Sequence, residues 1–335
     1  FKQKTAYEIR LSLVGSEMCI RDRTYSNIDS LRNMRSFKTF TTIVTALFSG
    51  YITLNKYEIG NTNTFYSFNP VEGFRLRAGG RTTPKFNENL YFESYLAYGF
   101  KDEQFKYGVF GTYSFNHKSI YSFPLNYLRV GYQYDMKIPG QELSFVQEDN
   151  FLLSFKRGNN DKWLYNNVFK VEYMREFGKN FYYLFTYKNW KQTPAGAIVY
   201  EKQVPASELI PDVTTSELSV EIRWAPNEQF YQTKAFRSPI INKYPIFKFR
   251  YIQGIKGLFG GEYNFTNLNL FVEKRFYMSQ LGFTDITLQG GYVFGQLPFP
   301  LLKIHEANQT YSSVSYTHLR AHETKANLVC RLLLE

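Results

Sequence analysis

Cysteine is almost missing from this chain of 335 residues, with Cys19 and Cys330 as the only two, one near each end. A disulfide framework and a thiolate metal site are therefore excluded from everything between them. Histidine is nearly as scarce: of four in the chain, only His117 and His305 lie between residues 24 and 312. No run reaches the ~18 consecutive apolar residues that a membrane-spanning helix needs. The nearest, Phe40 to Leu54, is interrupted by Thr41, Thr42, Thr45 and Ser49. A bundle of transmembrane helices is excluded. What the chain has in excess is aromatic rings, 19 % of its residues, alongside a negative mean hydropathy of -0.37. Apolar side chains diluted almost one-for-one by polar ones are what period-two strands produce when one face meets water and the other does not.

The two ends do not share this composition. Residues 1–23 and 313–335 hold only three aromatics, Phe1, Tyr7 and Tyr316, and both cysteines. Phe1 to Arg23 (FKQKTAYEIRLSLVGSEMCIRDR) and Ser313 to Glu335 (SVSYTHLRAHETKANLVCRLLLE) resemble translated sequencing-library adapters, so 1–23 and 313–335 are expected to be foreign to the fold. Between them the net charge falls from +11 to +8, with 32 Lys and Arg against 24 Asp and Glu. The basic residues are scattered, which argues against a nucleic-acid partner. The chain does not open on methionine, so its N-terminus gives no reading of export.

From Asp29 to Tyr51 the apolar positions Phe37, Phe40, Val44, Leu47, Phe48 and Tyr51 fall at helical spacing, while Thr39, Thr41, Thr42 and Thr45 favour strand. One short amphipathic helix is expected there, within an entry segment over 24–70 that also carries a first strand. From about Val71 the period becomes two. In Ser216 to Trp224, Leu218, Val220, Ile222 and Trp224 alternate with Glu217, Ser219, Glu221 and Arg223. Phe105, Tyr107, Val109, Gly111, Tyr113 and Phe115 form another such row. Similar alternation runs through Leu90 to Phe100, Tyr127 to Tyr134, Tyr165 to Phe177, Phe181 to Trp190, Ile246 to Ile255, Phe265 to Phe276 and Thr284 to Phe294. Turn residues separate them, as in Asn116-His117-Lys118, Pro139-Gly140, Gly158-Asn159-Asn160-Asp161, Gly178-Lys179-Asn180 and Pro226-Asn227. Short turns between long strands imply antiparallel neighbours. Runs of roughly nine to thirteen residues match the ~9 to 11 of a tilted membrane-crossing strand better than the ~5 to 6 of a soluble one. The fold class expected is all-β: an antiparallel transmembrane β-barrel over 71–312, incomplete or open, preceded by one short helix.

The stretches EGFRLRAGGRTTPKF (Glu72 to Phe86), YLAYGFKDEQFKYG (Tyr95 to Gly108), FVQEDNFLLSFKRG (Phe145 to Gly158), NWKQTPAG (Asn189 to Gly196), TTSELSVEIRWAPNEQFYQ (Thr214 to Gln232), NKYPIFKFRYIQGIKGLFGGEYNF (Asn242 to Phe265) and SQLGFTDITLQGGYVFGQLPFPLL (Ser279 to Leu302) resemble an uncharacterised outer-membrane family of Gram-negative bacteria, domain of unknown function 5686. Longer members of that family carry an N-terminal carboxypeptidase-regulatory-like β-sandwich. The resemblance implies an outer-membrane location, a barrel and dependence on barrel-assembly machinery, and it carries no activity over. Its pattern runs into residue 312 without a terminal strand. The sheet is therefore expected to stay open, with the strand at Thr284 to Phe294 at or near its C-terminal edge and the tail beyond contributing none.

Chemistry-bearing residues are few. His117 sits in a turn and reads as a surface residue; His305-Glu306 begins like a zinc-helix motif, but Gln309 stands where the second histidine belongs. Glu148-Asp149 reads as a solvated loop, with a cation site as the sharper alternative. Gly254, Gly257, Gly260 and Gly261 lack the Gly-Lys-Ser/Thr of a phosphate loop and mark instead a bulge or a close backbone approach. Arg75, Arg77, Arg223, Lys248 and Arg250 alternate mostly opposite the apolar rows, placing them in a barrel lumen. There they line a path for anions, hold a plug, or form cross-strand ion pairs with Glu93, Glu221 and Glu273. No catalytic, cofactor or metal residue is assigned, and no cofactor is expected. The function expected is a structural or transport-related outer-membrane barrel in contact with lipid, with a distant likeness to the barrels of assembly and surface-antigen proteins. A soluble β-sandwich binding a glycan and a barrel hydrolase active at its rim are the alternatives.

Overall fold

The computed structural model describes residues 25–26, 28–137, 162–178, 180–202, 208–232, 237–240, 242–295, 297–298, 301–302 and 329–334. The chain divides into two units, Phe1–Ile52 and Thr53–Glu335.

In the first unit, helix α1 spans Arg35–Ser49. Its threonines explain why a β-favouring composition still makes a helix. Thr41 and Thr42 donate their hydroxyls back to the carbonyls of Phe37 and Lys38 at 2.8 to 3.0 Å, so the hydroxyl is satisfied within the helix. Gly50, at φ 74°, takes the left-handed conformation that ends it and donates its N–H to Ala46 at 3.0 Å. The expected single helix is in two pieces: helical backbone also occupies Ile28 to Asn33, and Met34, in an extended conformation, separates it from α1. Tyr51, placed by its spacing on the helix, opens a strand instead. No described helix is long and apolar enough to cross a membrane.

The second unit is built on one antiparallel sheet. Its long strands are β4 (Gly73–Thr82), β5 (Leu90–Gly99), β6 (Phe105–Ser114), β7 (Asn126–Lys137), β8 (Lys162–Phe177), β9 (Phe181–Gly196), β12 (Val213–Trp224), β15 (Ile246–Gly254), β16 (Phe265–Tyr277) and β17 (Phe283–Phe294). Shorter strands β1 (Tyr51–Leu54), β2 (Tyr57–Gly60) and β3 (Tyr66–Asn69) precede them, and β18 (Val329–Leu334) follows. Two small hairpins stand apart from the sheet: β10 (Tyr200–Lys202) with β11 (Glu208–Ile210), and β13 (Phe230–Gln232) with β14 (Arg237–Pro239). The sheet order is β1-β2-β4-β5-β6-β7-β8-β9-β12-β15-β16-β17-β18, with β3 also on β4. Each expected run is a strand, within three residues of its predicted bounds except for β9, which continues six residues past Trp190. The turns at Pro139-Gly140 and Gly158 to Asp161 lie outside the described residues.

The order is a path with two ends, and among the described residues no pairing joins them. One expectation is corrected here. Residues 329–334 of the tail do pair with β17, Ile286 opposite Leu334 through Gly291 opposite Val329, so β17 is the penultimate strand. An edge strand offers a row of unpaired N–H and C=O groups that any extended segment without proline can satisfy, whatever its origin.

Register fixes which side chains share a face. Leu218, Val220, Ile222 and Trp224 of β12 stand opposite Tyr187, Phe185, Tyr183 and Phe181 of β9. The same row continues through Tyr173 and Phe177 of β8, Val130 and Tyr132 of β7, Val109 and Tyr113 of β6, Phe92 and Leu96 of β5 and Leu76 of β4. On the other side of β12 it passes through Phe249 and Tyr251 to Leu270, Leu288 and Tyr292. Most of these residues are exposed. The opposite face carries most of the charges, Arg175 and Lys274 standing in the ring-bearing rows close to the ends of β8 and β16, and the sheet curls toward it. Arg75 of β4 and Asp135 of β7 lie three strands apart, roughly 14 Å between backbones in a flat sheet, yet their side chains meet at 2.9 Å.

Glycines opposite aromatics help that curvature. Tyr95 lies across Gly108, Phe110 across Gly131 and Phe265 across Gly254, each pair in direct register on the polar face. A Cβ at these glycines would fall 2.4, 2.5 and 2.1 Å from the facing ring. The rings occupy the space a side chain would take, a known way of bending and registering a sheet. At Gly254 the close approach is therefore by a ring, whereas at Gly261, where a Cβ would fall 2.6 Å from the Ile255 carbonyl, it is by backbone, as the sequence suggested.

Candidate functional site

The polar face is most concentrated where β3, β4, β6 and β7 converge. Glu72 enters from the turn before β4 and is completely buried. Asn69 fixes it there, accepting the Glu72 N–H at 2.7 Å and donating its own amide to Glu72 Oε2 at 2.5 Å. Two cations meet this carboxylate: Lys106 Nζ lies 2.8 Å from Oε1 and Arg75 Nη1 3.4 Å from Oε2. Lys106 also pairs with Asp102 of the β5–β6 turn, which accepts a hydrogen bond from Tyr165 of β8 at 2.8 Å. Arg75 reaches over to Asp135, at 2.9 Å from Oδ1 and 3.2 Å from Oδ2. Asp135 accepts in addition from the Tyr95 hydroxyl at 2.5 Å and from the Met136 N–H at 2.8 Å. Gln133 then donates to the Tyr95 oxygen at 2.9 Å, and the Arg77 guanidinium stacks 3.7 Å above the Tyr95 ring.

Three carboxylates and three cations therefore form one continuous network. The side chains of Arg75 and Lys106 are 2 % and 0 % exposed, which charged residues tolerate only when paired and hydrogen-bonded. Gly99 makes the space: a Cβ there would fall 2.3 Å from Asp102 and 2.9 Å from Lys106 Nζ. Alanine at Gly108, by pressing on the Tyr95 ring, is expected to loosen the hydroxyl from Asp135 and destabilise the protein by about 1–3 kcal/mol. A urea-unfolding comparison of Gly108→Ala with Gly178→Ala, whose added Cβ meets nothing within 4 Å, checks this.

A second, looser set of charges lies farther along the sheet. Glu221 accepts from Tyr182 at 2.8 Å and from Arg250 Nε at 2.7 Å, the cross-strand pair the alternation suggested. Arg223 instead makes a forked pair with Glu228, both contacts 2.6 Å. Glu93 pairs with Arg129 at 3.5 Å, and Lys248 lies 5.6 Å from the Phe271 ring centre. The expectation that Glu93, Glu221 and Glu273 would serve the five named cations holds for Arg250 and Glu221. It is corrected for Arg75, whose partners are Glu72 in the turn before its strand and Asp135 of β7, and for Arg223, near whose strand end the adjoining turn supplies Glu228. His117, at φ 51° in its turn, hydrogen-bonds Asn89 at 3.0 Å. His305, Glu148 and Asp149 lie outside the described residues.

Sequence reading singled out Arg75 and Arg77 and passed over Glu72, Asp102, Lys106, Asp135, Tyr95 and Tyr165. Parity already placed Lys106 opposite an apolar row, and the same count extended to Asp135 would have placed it too. The register across four strands, which brings them together, was not available from parity.

No curated protein matches this chain. Residues 46–318 match the model of a family described as a family of unknown function (DUF5686), C-terminal domain. With four-fifths of its length under that match, from within α1 to beyond β17, the chain belongs to this family.

Proposed function

We propose that the chain forms wall of an outer-membrane β-barrel, with lipid on its apolar face and a lumen on its charged face, and that its role is structural or transport-related. One observation carries this reading: the face with the rings is exposed, while the face opposite carries the paired charges and buries Glu72, Arg75, Lys106, Asp135 and Glu221. Water-soluble proteins seldom leave so large an apolar surface uncovered, since apolar area in water costs about 25 cal/mol per Å². In lipid the same arrangement is the favourable one. A two-sheet sandwich with a glycan site would bury these rows against a second sheet, whereas Val109, Leu218, Ile222 and Phe249 are exposed. A hydrolase at the rim fits less well, because His117 does an ordinary turn's work with Asn89. Lipid and the barrel-assembly machinery are the partners this reading entails.

Migration in a detergent gel tests it. A lipid-embedded barrel keeps its fold in cold detergent and runs faster unheated than boiled. Identical migration of heated and unheated samples, from protein purified out of outer membranes, would remove the reading.

A further inference from the structure

We infer that the network around Glu72, Arg75, Lys106 and Asp135 is a dry seal, closing the lumen to water and solutes at its own level. The inference rests on the barrel reading above. In a water-filled lumen, lysine, arginine and carboxylate side chains keep their hydration by extending into the channel. Here each carboxylate has exchanged water for protein donors: Glu72 for Asn69, Arg75 and Lys106; Asp102 for Lys106 and Tyr165; Asp135 for Arg75, Tyr95 and Met136. Surrendering hydration is costly for every ion, so such an arrangement persists only where each ion meets an opposite charge, as Glu72, Asp102 and Asp135 each do here.

The dryness is local. On the same face, side chains farther along keep contact with solvent: Lys188 is 26 % and Arg250 48 % exposed although both are paired. Ala97, opposite Lys106 in the ladder, is 2 % exposed, so the backbone between the charges is covered as well. The partners come from β3, β4, β5, β6, β7 and β8 and from the turns before β4 and after β5. These strands are consecutive in the sheet, so the network draws one stretch of the wall together on its concave side, over the path a solute would take along it. Opening that path means parting Arg75 from Asp135 and Lys106 from Glu72 and Asp102 together, because each cation bridges two acids.

The test uses the full chain with Cys19→Ser and Cys330→Ser, reconstituted in phosphatidylcholine–phosphatidylglycerol vesicles. A cysteine replaces Ala97, and a charged, water-soluble methanethiosulfonate is the probe; Gly178→Cys, in the exposed β8–β9 turn, reports the unhindered rate. Labelling at position 97 is expected to be about a hundredfold slower than at 178, and to rise at least about tenfold on adding Asp135→Asn, the behaviour of a site reached only by local opening. Equal rates at 97 and 178 in protein that still migrates heat-modifiably overturn the seal and leave the barrel standing. Loss of heat-modifiable migration by the unsubstituted chain overturns both. Should Ala97→Cys itself fail to assemble, ion conductance in a planar bilayer decides. The unsubstituted chain and Lys106→Arg are expected not to conduct while Lys106→Gln does; conduction by the unsubstituted chain, or none by Lys106→Gln, overturns the proposal.

Discussion

Arginine in place of Ile222 is expected to stop the chain from assembling into lipid vesicles, whereas glutamine in place of its neighbour Glu221 leaves assembly intact. Ile222 lies in the apolar row, between Tyr183 of β9 and Phe249 of β15, with Leu218 and Trp224 on the same side of its own strand. A guanidinium on the lipid face near the bilayer centre costs about 2–4 kcal/mol, a large share of the ~5–15 kcal/mol by which folded proteins are stable. Glu221 points the other way. Glutamine there still accepts from the Tyr182 hydroxyl, and Arg250, being half exposed, regains water in exchange for its lost ion pair. Arg250 is half exposed and Glu221 buried, so the loss is expected to lie between that of an exposed pair, about 1 kcal/mol or less, and that of a fully buried one. The fraction of heat-modifiable protein after vesicle folding measures both; equal behaviour of the two variants would show that the faces are assigned the wrong way round.

Alanine at Asp135 is expected to destabilise the fold by about 3–5 kcal/mol, the usual consequence of leaving a buried cation without its acid. Arg75 would lose its nearer acid, Glu72 lying at 3.4 Å, and the Tyr95 hydroxyl would lose the carboxylate it donates to. Removing both partners, as in Arg75→Met with Asp135→Leu, strands no charge and is expected to cost less than Asp135→Ala alone. Urea unfolding of protein folded into vesicles would give the coupling between the two positions. A double variant whose loss equals the sum of its singles would mean that the pair contributes nothing as a pair.

How far such properties can be read in the sequence depends on the range of the interaction behind them. Strand positions follow from alternation within ten residues, so β5, β6, β15 and β17 fall within a residue or so of where Leu90 to Phe100, Phe105 to Phe115, Ile246 to Ile255 and Thr284 to Phe294 place them. Facing follows from the same count, which is why Arg75, Arg223 and Arg250 could be assigned to the polar side. Pairing does not. Arg75 and Asp135 are 60 residues apart, and their meeting depends on the accumulated register of three ladders and on the curl that Gly108 and Gly131 permit. The hairpins β10–β11 and β13–β14 were missed for the opposite reason. At three residues a strand is too short to show a period. The tail strand β18 escaped because VCRLLL shows little alternation, and its pairing answers a need of β17's edge rather than a preference of its own.

The hairpin of β8 and β9 has 16 residues in each arm, whereas about 9 to 11 suffice for a tilted strand to cross a bilayer. The apolar row occupies the arms next to the turn at Gly178, from Phe169 to Phe177 and from Phe181 to Tyr187, and gives way to Asn167, Asn189, Lys191 and Thr193 beyond. On the barrel reading, the surplus of about five to seven residues, at ~3.3 Å each, would stand clear of the hydrocarbon as a parapet of sheet about 17–23 Å long, on the side of the Leu164, Tyr200 and Val213 cluster. A protease added to intact vesicles would meet this parapet before any other part of β8 and β9. Its height would then set how close a large particle or a neighbouring protein could come to the membrane at this point on the wall.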